Sequence, residues 1–239
     1  MPAELLPQPP PGVPAPPPGE EAIRSKRKFG TLLLLGIDSL LLLGVWGTSH
    51  LLVRNHSHPA FIPAIGNAKQ LGLALFDFDS QYGRYPDATT SAAVKTQTGS
   101  TWTLGDKTSN DLFQQLIVSG VSQSEEMFYA KTPWTKKPDN AFATEAQALA
   151  SGECGFAYII GLSSKDDPDT PVCVSPLEPG KLTFDLKALE GKAVILRVDN
   201  RVITLPIDKS GHVILNGMDL FDPRQSFWRG KAPNVKWPK

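Results

Sequence analysis

The sequence predicts an α+β fold: a membrane-spanning helix that continues into an amphipathic helix, packed on a C-terminal antiparallel sheet. Three observations carry this reading. Residues 29–47 form an apolar run of 19 residues with one charge. Residues 61–86 carry apolar side chains at helical spacing. Residues 192–206 hold two β-branched runs separated by a turn. Helix followed by sheet is a standard way to bury one face of each against the other.

The chain has 239 residues, enough for one domain with a real core. Its 24 basic residues balance its 24 acidic ones, which argues against a dedicated nucleic-acid binder. Prolines crowd between Pro2 and Pro18. A segment of that composition buries no core, so residues 1–28 read as a disordered tail ending in the basic cluster Arg24, Lys26, Arg27 and Lys28.

The apolar run matches the hydrocarbon thickness of a bilayer, and leucines extend it to give a transmembrane helix over 29–53. Basic residues precede the span and only Arg54 closely follows it. The positive-inside rule therefore places the tail in the cytoplasm and residues 54–239 outside. Asp38 lies near the middle of the span. An ionisable group there points to packing against a second transmembrane helix, or to a protonated carboxyl beside Gly36 and Ser39. His50, His56 and His58 follow in a polar hinge, without the carboxylate or thiolate that a metal site needs nearby.

The next helix is read from Phe61, Ile65, Ala68, Leu71, Leu75, Phe78 and Tyr82, spaced by three or four residues. Pro63 suits a first turn, Gly83 suits a left-handed cap, and Pro86 forbids continuation.

The basic cluster, the apolar helix, the amphipathic continuation and the closing Tyr82-Gly83-Arg84-Tyr85-Pro86 resemble the N-terminal third of bacterial type IV pilin-like proteins. The nearest group is the pseudopilins of type II secretion systems, and the likeness covers about residues 24–86. The resemblance implies a pilin-like α+β domain over 54–239, placed in the periplasm on a single-pass anchor in the bacterial inner membrane. It implies the work of a structural subunit or accessory protein, with other pilin-like or secretion-system subunits as partners. The alternative is a stand-alone envelope protein whose head binds a protein or glycan. The chain departs from the family signal at two points. Phe29 precedes Gly30, the reverse of the usual order. Cleavage after Gly30 would put Leu35 at the fifth mature position, where the family carries glutamate. The expectation is thus a pseudopilin-like fold on an uncleaved anchor.

Residues 87–106 are rich in Thr, Ser, Ala and Gly and read as a loop. A helix follows, with Asn110 as N-cap, Leu112, Phe113, Leu116 and Ile117 as its apolar face, and Gly120 as its end. A further turn is expected near Met127-Phe128-Tyr129. Residues 132–140 are turn-like, and the alanine-rich 141–150 reads as helix with Gly152 as the stop. Residues 156–162 read as a strand and 163–171 as an exposed loop. Residues 192–199 and 201–206 form a hairpin turning at Asp199-Asn200, with Val194, Leu196 and Val198 on one face. Residues 207–215 continue as β around a turn at Lys209-Ser210-Gly211. The aromatic, proline-containing end is expected to pack on the sheet as coil.

Cys154 and Cys173 would meet an oxidising space outside the membrane and are a candidate disulfide. Closing that loop of about 20 residues would contribute roughly 3 kcal/mol. Asp166, Asp167 and Asp169 form an oxygen-rich loop and are a weak calcium candidate, since their spacing fits no EF-hand and Pro168 interrupts them. No nucleophile elbow, phosphate loop, zinc-protease motif or dinucleotide fingerprint is present. Gly152-Glu153-Cys154-Gly155 has only the distant His212 as a base. No enzymatic activity, cofactor or small-molecule substrate is expected.

Overall fold

Helix α1 runs over Phe61–Tyr82, where the apolar spacing places it. The computed structural model describes residues 59–239. The tail 1–28, the span 29–53, Asp38 and cleavage after Gly30 therefore lie outside the described residues. Among the described residues no helix is long and apolar enough to cross a membrane. Ala64, Ala68, Leu71, Ala74, Leu75 and Phe78 are buried along one side of α1. Gly83 closes it with a left-handed φ of 79°, its amide donating to the Asp79 carbonyl at 2.7 Å. At the other end, the Ala60 amide donates to Glu190 Oε1 at 3.0 Å, and Lys192 Nζ lies 4.2 Å from the centre of the Phe61 ring.

Residues 87–106 are not all loop, because α2 covers Ser91–Thr98. Val94 supplies its buried contact. A side-chain network anchors its start: Thr90 Oγ1 donates to Gln115 Oε1 at 2.6 Å, and Gln115 Nε2 donates to the Asp87 carbonyl at 2.9 Å. These tertiary bonds outweigh a weak local propensity.

Helix α3 spans Ser109–Val118, with Thr108 rather than Asn110 as its N-cap. Thr108 and Asp111 form a reciprocal capping box that satisfies two amides. Asn110 is instead buried and bonds outward, from Nδ2 to the Leu149 carbonyl at 2.8 Å and from the Lys239 amide to Oδ1 at 3.0 Å.

A single 3-10 turn follows at Glu126–Phe128. Residues 141–150 form turns and no helix. The groups a helix would pair internally are taken by side chains. Gln114 Nε2 donates to the carbonyls of Glu145 and Ala148, and the Leu149 amide donates to Glu125 Oε1. Leu149 itself has a φ of 47°, incompatible with a right-handed helix.

Five strands form one antiparallel sheet: β1 (Ala157–Ile159), β2 (Pro171–Ser175), β3 (Lys192–Arg197), β4 (Val202–Pro206) and, after a separate two-stranded hairpin, β7 (Val235–Lys236). Their order is β4-β3-β2-β1-β7. The hairpin pairs β5 (Ile214–Leu215) with β6 (Met218–Asp219). The β3–β4 hairpin is the expected one, paired from Lys192 with Pro206 to Leu196 with Val202. Asn200 takes the positive φ of 61° that its turn requires. Strand β2 replaces the end of the expected 163–171 loop, and residues 207–213 are turn rather than strand.

The sheet is covered on both faces. Val194, Leu196 and Val198 join α1, α3 and Phe156 in one core. Ala193 and Ile195 point the other way and join Val174, Phe184, Leu220, Phe221 and Trp228 in a second core. Trp228 Nε1 donates to the Leu220 carbonyl at 2.7 Å, which satisfies its only polar atom.

Candidate functional site

Helix α1 has a second apolar line opposite its buried one. Ile62, Leu73 and Phe76 are large, exposed and outward, with Leu73 58% exposed. At 100° per residue these three fall within about 60° of one another, roughly opposite Leu71 and Leu75. Single exposed apolar residues are ordinary; here Leu73 and Phe76 adjoin one turn apart, and Ile62 lies three turns earlier with the exposed Lys69 on the same line between them.

A different constellation lies beside the 3-10 turn that packs on α1. Glu125, Asp139 and Glu153 each bring a carboxylate oxygen to within 4.8 Å of the other two. Among the described residues these are the His, Cys, Asp and Glu side chains gathered in this way. Glu125 directly precedes the 3-10 turn, Asp139 lies in the long loop before β1, and Glu153 ends that loop. Glu125 and Glu153 are buried, while Asp139 is exposed.

The bonds around the cluster hold two of its members firmly. Glu125 Oε1 accepts the Leu149 amide at 2.6 Å, and the Glu125 amide donates to Asn140 Oδ1 at 2.8 Å. Glu153 Oε2 accepts the Ala150 amide at 2.8 Å, and Oε1 faces Lys136 Nζ at 3.1 Å. Asp139 Oδ1 accepts the Ala141 amide at 2.8 Å. Glu125 Oε2 is buried and has no hydrogen-bond partner. Burial raises the Glu125 carboxyl above the usual carboxylate range. The Leu149 amide opposes the rise, and the charges of Glu153 and Asp139 add to it.

The sequence offers little sign of this cluster. Its three members stand 14 residues apart in turn, in segments read as turn or helix, and no ligand motif has that spacing. The stronger clue is that all three fold onto the segment 141–153, whose loop path depends on tertiary bonds.

Among the described residues, the other expected site residues form no such cluster. Cys154 and Cys173 are buried free thiols, so the expected disulfide is not formed. Cys154 Sγ lies 3.6 Å from Ser109 Oγ and 3.5 Å from the Phe156 carbonyl, while Cys173 sits in β2 opposite Tyr158. Both lie in the core beneath α1, where a charge on Cys154 would raise the Cys173 thiol. Asp166 accepts from the Ser163 amide and hydroxyl, Asp167 accepts from the Asp169 amide, and Asp169 pairs with Arg197. Among the described residues, the carboxylates of that loop are not gathered as those of Glu125, Asp139 and Glu153 are. His212 Nδ1 meets Asp219 Oδ2 at 2.7 Å, away from Cys154 in the second hairpin. The chain matches no family model, and no curated protein or solved structure shows significant similarity to it.

Proposed function

We propose that this chain is a membrane-anchored, pseudopilin-like structural subunit or accessory protein of a type II secretion or related envelope assembly. The span 29–53 anchors it in a bacterial inner membrane, the tail 1–28 lies in the cytoplasm, and the head lies in the periplasm. The head is pilin-like in plan, a long helix laid on an antiparallel sheet. Assembly, rather than catalysis, is its chemistry. Asp38 and the apolar span pack laterally within the membrane, and other pilin-like subunits are the partners.

The outward strip Ile62, Leu73 and Phe76 carries this reading. Helix α1 follows the apolar stretch after the short polar segment 54–60 and uses its opposite side to hold the head. The strip is left for a neighbour, and aligned apolar anchors at helical spacing are how helices dock on one another. The resemblance of residues 24–86 to pseudopilins supports the same reading.

A photo-crosslinking residue at Leu73 or Phe76, in native membranes, tests it. Crosslinks to pilin-like or secretion components are expected, and Phe76→Asp should abolish them without unfolding the head. Absence of such crosslinks, together with unimpaired secretion after deletion of the chain, would overturn the reading.

The reversed Phe29-Gly30 order and Leu35 favour a second reading, a stand-alone envelope protein that binds a protein or glycan. The N-terminal mass of the native protein separates the two. A chain beginning at Thr31 supports a filament subunit, and a retained tail supports a permanent anchor.

A further inference from the structure

We propose that Glu125, Asp139 and Glu153 form a calcium-binding site that ties the long loop before β1 to the 3-10 turn at Glu126–Phe128. Three carboxylates converge there, with oxygens no more than 4.8 Å apart. The cationic group facing them is Lys136 at Glu153, and its side chain is 58% exposed. A buried carboxylate oxygen normally has a donor. Glu125 is fully buried, its first oxygen is satisfied by the Leu149 amide, and its second oxygen has none. An unpartnered carboxylate oxygen beside two further carboxylates is a place prepared for positive charge.

The donor set selects the ion. All three side chains offer oxygen and none offers nitrogen or sulfur, which suits hard cations rather than zinc or copper. Calcium accepts an irregular set of carboxylates, whereas magnesium demands near-ideal octahedral geometry and keeps most of its waters. Three carboxylate oxygens within 4.8 Å of one another, on side chains already held by the chain's own bonds, suit the less demanding ion. Glu125 and Glu153 are already held by backbone amides, so most of the site's order precedes the ion. Asp139 is on the exposed side, where water completes the coordination, and Lys136 is free to swing into solvent when the ion takes its place.

The site differs from the Asp166–Asp169 loop in position, and its calcium supply rests on the extracytoplasmic placement proposed above. Its consequence is local. Glu125, Asp139 and Glu153 come from three parts of the chain, and one ion would bind residues 125–153 into a unit at extracytoplasmic calcium concentrations.

The test uses the full-length chain in detergent, with calcium chloride added after chelation. Isothermal titration should show one ion bound per chain at about 0.1–1 mM, the range of extracellular calcium modules. At tenfold excess over the dissociation constant, the unfolding midpoint should rise by about 3–6 °C. Magnesium chloride should act only at higher concentration. Asp139→Asn keeps the oxygen that accepts the Ala141 amide and lies at the surface, so it should fold normally and bind calcium about tenfold or more weakly. Glu125→Gln should abolish binding. No heat and no midpoint shift up to about 10 mM calcium would overturn the proposal. So would an undiminished shift in a folded Asp139→Asn variant.

Discussion

The Tyr158 hydroxyl donates to the Pro86 carbonyl at 2.9 Å, joining residues 72 apart in sequence within the buried core. The bond fixes where the chain leaves α1. It acts together with the Tyr85 amide, which donates to the Leu162 carbonyl at 3.1 Å. Tyr158→Phe keeps the ring against Phe113 but leaves the Pro86 carbonyl without its donor. A loss of about 1–2 kcal/mol is expected, read as a lower urea midpoint at unchanged slope. An unchanged midpoint would mean that water replaces the hydroxyl there.

Gly155 is required by backbone proximity. A Cβ placed on it would lie 2.4 Å from the Ala130 carbonyl oxygen and 2.6 Å from the Ala130 nitrogen. Neither atom moves without shifting the segment, so Gly155→Ala should cost about 3 kcal/mol or more. Gly66 is the contrast, since a Cβ there meets nothing within 4 Å and the residue lies inside α1. Gly66→Ala should raise stability by about 0.5–1 kcal/mol. Thermal unfolding of the two variants should move in opposite directions.

Glu125 carries a pH signature when calcium is chelated. Burial, with Glu153 and Asp139 nearby, raises its carboxyl in the folded chain, while the Leu149 and Asn140 amides act the other way. The folded state therefore binds the proton more tightly than the unfolded one. Its stabilising contribution is complete below the ordinary carboxylate value and disappears as pH rises through the raised one. At pH 7.5 in a chelator, Glu125→Gln should be more stable than the parent by about 1 kcal/mol, and the gap should narrow towards pH 5. A gap that does not change with pH would remove the titration from the explanation.

The two thiols should be silent in the native protein. Burial pushes the Cys154 thiol up to about 11 and raises the Cys173 thiol well above the ordinary thiol value. Iodoacetamide at pH 8 should add nothing until denaturant is present, and then add two adducts. A native mass lower by two hydrogens would instead show a disulfide and demand a different local path at Cys154.

What was legible in the sequence was local. The α1 stripe and its Gly83 cap depend on neighbours three and four residues away, and the β3–β4 hairpin depends on its own turn at Asn200. The face shared by Val194, Leu196 and Val198 followed from alternation alone. The failures were decided by partners distant in sequence. Residues 141–150 have helical composition, yet Gln114, Asn110 and Glu125 capture their backbone groups. Strand β2 is buried at every position, so it lacks the alternation that marks a half-exposed strand. The acidic cluster was hidden for the same reason, since its oxygens meet only after that loop has folded.

Strand β3 lies between β2 and β4, and its residues Ala193 to Leu196 are at most 1% exposed. Seen through isotope exchange, the domain therefore has a graded interior. Most amides of β2 and β3 give up their protons only when the whole head opens, because they pair inside the sheet and are roofed by side chains above and below. The segment 129–153 is held largely by side-chain bonds to its carbonyls and amides and can exchange through smaller openings. Deuterium should thus enter there first, marking the part of the head that a bound ion would have most scope to quiet.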